Sequence, residues 1–387
     1  MLDFIFSIII FLMGFIFIDS NKRYLTKYDQ LVLKRIWVYH LFFSILYYFY
    51  SRTNSADSNG YWRVAKEATE SDLFYFISQG AGTKFMYVLN YFPAKIINLS
   101  IFTGIIFYSF LSFLGFYYFY RIIIDLVPYN SKFIKFNLFP LVLFLPNLHF
   151  WTVGTGKDTI IFFTIALFSF SLLKVNKRIH LIILSLFLMF MTRPHVAFLL
   201  LFSTSLVFLS TNKINKSQKI FFSVIFITTT ILVLPQVLQY VNLEESPSIN
   251  DVLYRAKSQS DNLRGATVGS SIDISSYPFP LKVFSFLFRP LFFDYNGLFS
   301  IVSSFENLLL LILTIKIFNK NIFKSIKKAP FVIKVMFYFL IFGTIIFSLS
   351  LSNLGIILRM KNMFIPGFLI FILWCLSFQK EIRNNQI

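Results

Sequence analysis

A backbone that crosses lipid finds no water to bond, so each apolar run of spanning length must satisfy its own amides as a helix. This chain carries such runs near 2–18, 36–50, 96–120, 137–151, 159–173, 179–191, 196–210, 220–240, 298–318, 331–351 and 363–378. A span needs about 20 mainly apolar residues, so the sequence predicts an all-α polytopic membrane protein with about eleven transmembrane helices. Composition agrees. Hydrophobic residues make up 57% of the chain and charged residues 14%, where a soluble domain is roughly a quarter charged. The expectation is a single integral membrane domain over residues 1–387.

The connectors between runs alternate in charge. NKRYLTKYDQLVLKR (21–35), RIIIDLVPYNSKFIK (121–135), KVNKR (174–178), NKINKSQK (212–219) and KIFNKNIFKSIKK (316–328) are basic. The positive-inside rule assigns these to the cytoplasm. The others are expected outside: two long extracytoplasmic loops, about 51–95 and 241–297, and short turns at 152–158, 192–195 and 352–362. The first run has no basic stretch before it and no small-x-small cleavage site after it, so it is expected to be a retained helix with its N-terminus outside. The formal charge of +19 then belongs to membrane topology and anionic lipid headgroups, and no nucleic-acid partner is expected. A lone cysteine, Cys375, permits no intrachain disulfide and no thiolate zinc site. The four histidines, His40, His149, His180 and His195, are scattered in sequence, so no metal site and no cofactor is expected.

Chemistry is expected on the outer segments. Asp57 lies in NSADSNGYWRVAKE (54–67) and is placed to deprotonate a sugar hydroxyl; its other reading is a solvated acid capping a helix that begins near Gly60. LPNLHFWTVGTGKDT (145–159) offers a glycine turn at a helix start, with Lys157 and Asp158. Its spacing is not that of a P-loop. Lys157 suits a phosphate or sugar hydroxyl, and Asp158 suits either substrate or a helix cap. MTRPHVAF (191–198) holds Arg193 and His195 close to hydrocarbon, where an arginine needs a partner. The large loop holds Arg264, in a small polar stretch suited to closing over a substrate, and Arg289 in FRPLFFDYN (288–296). Guanidinium forks match phosphate oxygens. Glu306, beside Asn307, sits inside an apolar run and should face the interior. Arg359 and Lys361 precede the last span.

Read in order, these segments give D-S-x-x-Y (Asp57, Ser58, Tyr61), P-x-x-x-F-W…G-K-D (Pro146, Phe150, Trp151, Gly156, Lys157, Asp158), R-P (Arg193, Pro194), F-R-P-L (Phe288 to Leu291), S-x-E (Ser304, Glu306) and R-x-K-x-x-x-x-P (Arg359, Lys361, Pro366). The chain resembles the Wzy-type O-antigen or repeat-unit polymerases, and more widely the GT-C class of polyprenyl-sugar-dependent glycosyltransferases. The resemblance implies a GT-C-like fold and a polyprenyl-diphosphate-linked glycan as donor. It assigns catalysis to Asp57 and diphosphate binding to Arg193, Arg264 and Arg289. No paired D-x-D or D-D motif follows the first span, which favours a metal-independent polymerase. The expected activity is polymerisation of lipid-linked oligosaccharide repeat units. Substrate-binding residues would be Lys157, Asp158, Arg193, His195, Arg264, Arg289 and Arg359. The expected setting is a bacterial inner membrane, with other polysaccharide-assembly proteins as partners. The alternatives are a GT-C enzyme using a polyprenyl-phosphate sugar, or a flippase.

Overall fold

The computed structural model describes residues 1–54, 56–133, 135–210, 277–351 and 353–384, with isolated positions between 220 and 231. Among the described residues, 6 helical stretches are long and apolar enough to cross a membrane. The protein is an all-α, multi-pass membrane protein whose chain forms two compact units. One comprises Met1–Asp125 and Phe139–Arg193; the other comprises Leu126–Leu138 and Pro194–Ile387. Most of the expected span 220–240 and most of the connector after it, including Arg264, lie outside the described residues.

The first unit opens with α1 (Leu2–Ser20) and α2 (Lys27–Thr53). They form an antiparallel pair joined near the turn by Lys34 and Asp19 at 2.7 Å. Trp37 is fully buried and donates its indole N–H to the Phe11 carbonyl at 3.0 Å. Only a glycine leaves room for that ring: a Cβ on Gly14 would lie 2.3 Å from the indole nitrogen. At the start of α2, Thr26 and Asp29 form a reciprocal capping box. The other Asp29 oxygen accepts from the Tyr120 hydroxyl at 2.6 Å, which ties α2 to the far end of α6 (Ile101–Leu126).

The expected loop 51–95 is helical. It contains α3 (Asp57–Glu67), α4 (Glu70–Ser78) and α5 (Thr83–Tyr91), which continues as a π turn over Phe92–Ile96. One signal is local and the rest is packing. A Thr69–Asp72 capping box opens α4, and α3 buries Tyr61, Trp62 and Ala65 at the spacing of one helical face. Trp62 packs with Ala94 and Leu99, while Tyr61 packs with Met86, Tyr108 and Ile160.

The expected span 137–151 is broken into α7 (Leu138–Leu141), a 3-10 turn (Val142–Phe144) and α8 (Pro146–Phe150). Phe139 and Leu145 both have extended backbone because each precedes a proline, whose ring excludes the helical region for its neighbour.

The next apolar stretch, Lys157–Thr192, has 36 residues. As one straight helix it would run roughly 54 Å, at about 1.5 Å per residue. Instead Asp158 and Arg193 meet at 2.6 Å. The stretch is a hairpin of α9 (Lys157–Ser171) and α10 (Val175–Thr192). At its turn Arg178 donates to the Phe170 carbonyl at 2.7 Å.

Two histidines far apart in sequence meet inside this unit. His40 Nδ1 lies 2.9 Å from His149 Nδ1. His149 Nε2 is 2.8 Å from the Leu143 carbonyl, so it carries the proton and its Nδ1 accepts. His40 must then donate from Nδ1, which leaves its Nε2 to accept from the Ser112 hydroxyl at 2.5 Å. Both rings are neutral in this arrangement, as their complete burial requires.

The second unit contains α11 (Pro194–Ser210), α12 (Phe279–Phe288), α13 (Leu298–Ile317), α14 (Ile322–Lys328), α15 (Phe331–Ser350), α16 (Leu354–Lys361) and α17 (Ile365–Asn384). A small antiparallel hairpin pairs Lys132 with Asn137 and Phe133 with Phe136. Helix α15 packs on α11, α12 and α17. Every residue of α17 from Ile365 to Ser377 is buried, which makes it the core helix of the unit. Basic side chains and their carbonyl partners gather at one end: Lys316 donates to Lys132 O at 3.3 Å and Lys380 to Asn130 O at 3.4 Å.

Replacing Gly14 with Leu should drive the new side chain into Trp37 and lower stability by about 1–3 kcal/mol, the usual range for overpacking. Thermal unfolding in detergent checks this. An unchanged midpoint would mean that α1 does not pack on α2 as described.

Candidate functional site

At one end of the first unit, the turn 152–156 is buried and bonded on every side. The Thr159 hydroxyl reaches back to the carbonyls of Thr152 and Gly154, at 2.8 and 2.5 Å. Thr155 donates to the Ser58 carbonyl at 3.1 Å. Asn90 donates to the Thr155 carbonyl at 3.4 Å and accepts from the Tyr108 hydroxyl at 2.8 Å. The hydroxyls of Tyr47 and Ser58 are 3.0 Å apart. A Cβ on Gly154 would lie 2.7 Å from the Tyr47 oxygen, so the glycine is a packing requirement. The first turn of α3 and the start of α9 are therefore locked to one another.

Around this lock stand three sequence-predicted segments. Asp57 is the first residue of α3 and is exposed, directly before the buried Ser58. The helix begins at Asp57 itself, earlier than Gly60, and its acid lies in the first turn, where the helix dipole favours negative charge. Lys157 is the first residue of α9 and donates to the Thr83 hydroxyl at 3.0 Å. Asp158 does not cap α9; Gly156 holds that position. Its carboxylate instead receives Arg193 Nη2 at 2.6 Å, and their side chains are only 13% and 5% exposed. The backbone N–H of Gly82 donates to the Met191 carbonyl at 2.7 Å, fixing the start of α5 to the same end of α10. Asp57, Lys157, Asp158 and Arg193 thus share one end of one unit.

His195 belongs to the other unit, since the boundary falls between Arg193 and Pro194. Its ring lies 6.1 Å from that of Phe347.

The second unit holds a polar centre of its own. Arg289 grips Asp294 with two nitrogens, Nε at 2.9 Å and Nη2 on the second oxygen. It also reaches the Tyr277 hydroxyl at 3.5 Å and stacks over Phe293. The carboxylate raises the guanidinium's proton affinity further, so Arg289 is a fixed cation. The Arg289 backbone carbonyl accepts from Lys361 Nζ at 3.2 Å, and so do Leu287 O at 3.5 Å and Asn307 Oδ1. Asn307 is oriented by its donation to the Pro290 carbonyl at 2.7 Å. Glu306 is buried in α13, as its place in an apolar run predicts, and its charge acts on Lys361. Arg359 is half-buried in α16. The F-R-P-L segment, Glu306-Asn307 and R-x-K therefore converge, with Lys361 at the centre.

Sequence reasoning weighted Arg359 over Lys361 and gave Asn307 no role. A lysine just before an apolar run looks solvated; its burial depends on α12 folding over it. The signal that could have found it was Asn307, a polar group inside a spanning run next to a carboxylate. Among the described residues, no three His, Cys, Asp or Glu side chains group closely enough to hold a metal ion. Comparison of the chain with family models, with curated proteins and with solved structures finds no match.

The Asp158–Arg193 pair should be strongly coupled. Removing either partner alone should cost about 3–5 kcal/mol by stranding a buried charge, and the double variant should be less damaged than the sum; additive losses in a double-mutant cycle would rule out the clasp.

Lys361 makes a pH prediction. Burial pushes its ammonium down from 10.5 to about 7, against the opposing pull of Glu306. The unfolded chain then binds more protons than the folded one above about pH 7, so stability should rise with pH toward the unfolded value. Below about pH 7 the penalty is fully present. Lys361→Met should flatten that pH dependence relative to the parent protein. An identical slope in both would show that Lys361 is not the group responsible.

Proposed function

We propose that this chain polymerises polyprenyl-diphosphate-linked oligosaccharide repeat units. The observation that carries the reading is the gathering of Asp57, Lys157, Asp158 and Arg193 at one end of the first unit. That end lies opposite the basic one, where Asp29 meets Tyr120 and Arg121 covers Tyr24. By the positive-inside rule the basic end faces the cytoplasm and the acid-bearing end faces out. A donor on that side has to be lipid-borne. We place the chain in a bacterial plasma membrane, with about eleven spans as its apolar runs give and with other polysaccharide-assembly proteins as neighbours.

In this reading, Asp57 takes the proton of an acceptor hydroxyl. The hydroxyl oxygen bonds to the anomeric carbon of the growing glycan, and the bond from that carbon to the diphosphate breaks. The polyprenyl diphosphate leaves as an anion. Fixed cations aimed at the developing charge lower the barrier without reorganising. Lys157 and Arg193 are suited to this in the first unit. The substrate-binding set proposed from sequence also includes Arg264, Arg289, Arg359 and His195. No step calls for a metal ion or a cofactor.

A strain carrying Asp57→Asn tests the proposal by analysis of its lipid-linked glycans. Loss of a general base lowers the rate about 10²–10⁴-fold, so single repeat units should accumulate at the expense of long chains. Long chains at normal abundance would overturn the proposal. Repeat units of altered mass would instead favour the transferase that adds one sugar from a polyprenyl phosphate.

A further inference from the structure

The basic end of the first unit carries a feature that the proposed reaction does not use. Tyr24, in the turn between α1 and α2, has Arg23 over its ring at 4.6 Å and Arg121 over it at 5.2 Å. Arg178, at the α9–α10 turn, lies 3.7 Å over the Phe170 ring and close enough to Arg121 for the two charges to repel. Among the described residues, the only acid within ion-pair distance of these three guanidinium groups is Asp125, 3.4 Å from Arg121 and half exposed. Arg178 spends one nitrogen on a backbone carbonyl. Arg121 Nη2 reaches the two Asp125 oxygens at 3.4 and 3.5 Å, yet its Nε is buried with no hydrogen-bond partner. Lys22, Lys174 and Lys177 surround the cluster in sequence.

Three arginines converging from three parts of the chain, with one carboxylate among them, are an unfavourable arrangement in isolation. Like charges at the edge of a low-dielectric region repel, and an orphaned buried donor is costly. An anion on the cluster relieves the repulsion. The aromatic faces hold the guanidinium planes by cation–π contact, which leaves their N–H edges for oxygen ligands. Planar forks of this kind match phosphate oxygens, and basic pockets between membrane helices take phospholipid headgroups. We infer that Arg23, Arg121 and Arg178 form a binding site for the phosphate of an anionic phospholipid, with Tyr24 and Phe170 as its walls. The site stands independently of the proposed polymerase activity.

The test uses the whole protein in nanodiscs of phosphatidylcholine, with or without phosphatidylglycerol. Phosphatidylglycerol should raise the unfolding temperature and be retained on the protein in native mass spectrometry. Arg121→Gln/Arg178→Gln should weaken that retention roughly tenfold or more, from the loss of two phosphate-facing charges. Lys174→Gln/Lys177→Gln should weaken it far less. Competition by millimolar inorganic phosphate as strong as that by the lipid would assign the site to free phosphate and overturn the lipid reading. Equal retention of both lipids by the parent protein would overturn the site itself. This last comparison needs no variant, so it decides even if the double substitution fails to fold.

Discussion

The interior of this protein is governed by one constraint: a polar group removed from water must meet a partner. Several buried and half-buried titratable side chains meet that demand in different ways. Asp29 spends one oxygen on its own helix start and the other on Tyr120. Asp3 accepts from the backbone and side chain at the opening of α6, at 2.7 Å each. His40 and His149 share one hydrogen between facing nitrogens. Lys361 is held by oxygen atoms. In hydrocarbon an unsatisfied group costs several kcal/mol. These contacts therefore fix which helices pair and in which register, where apolar faces alone would slide.

The clasp between Asp158 and Arg193 is the same constraint at the edge of the first unit. It closes the α9–α10 hairpin, while the glycine turn before α9 is bonded to the first turn of α3. The turn is rigid because its side chains are tied to the helices behind it. Lys157 at its end faces Thr83, and Asp158 beside it faces Arg193. Preorganised charge of this kind is what anion-releasing chemistry requires.

Charge also divides the first unit along its length. One end gathers basic connectors and aromatic rings, and the other gathers Asp57 with the bonded turn. The two ends have different physical tasks. At the basic end cations exceed carboxylates, an arrangement that anionic headgroups stabilise. The opposite end holds Lys157, Asp158 and Arg193 in an ion pair and hydrogen bonds, which keep them in place.

The sequence by itself determined that the chain is helical and crosses a membrane, because apolar runs in lipid have no other way to satisfy their backbone. It also carried the two proline breaks after Phe139 and Leu145 and the capping boxes at Thr26 and Thr69, all of which are local. Only the tertiary structure decided that residues 57–96 fold into helices packed on the unit, that His40 meets His149, that Asp158 pairs with Arg193, and that Lys361 is buried. Those outcomes depend on contacts between residues far apart in the chain. A side chain's partner in hydrocarbon is set by which helix lies beside it, and no local pattern of residues carries that information.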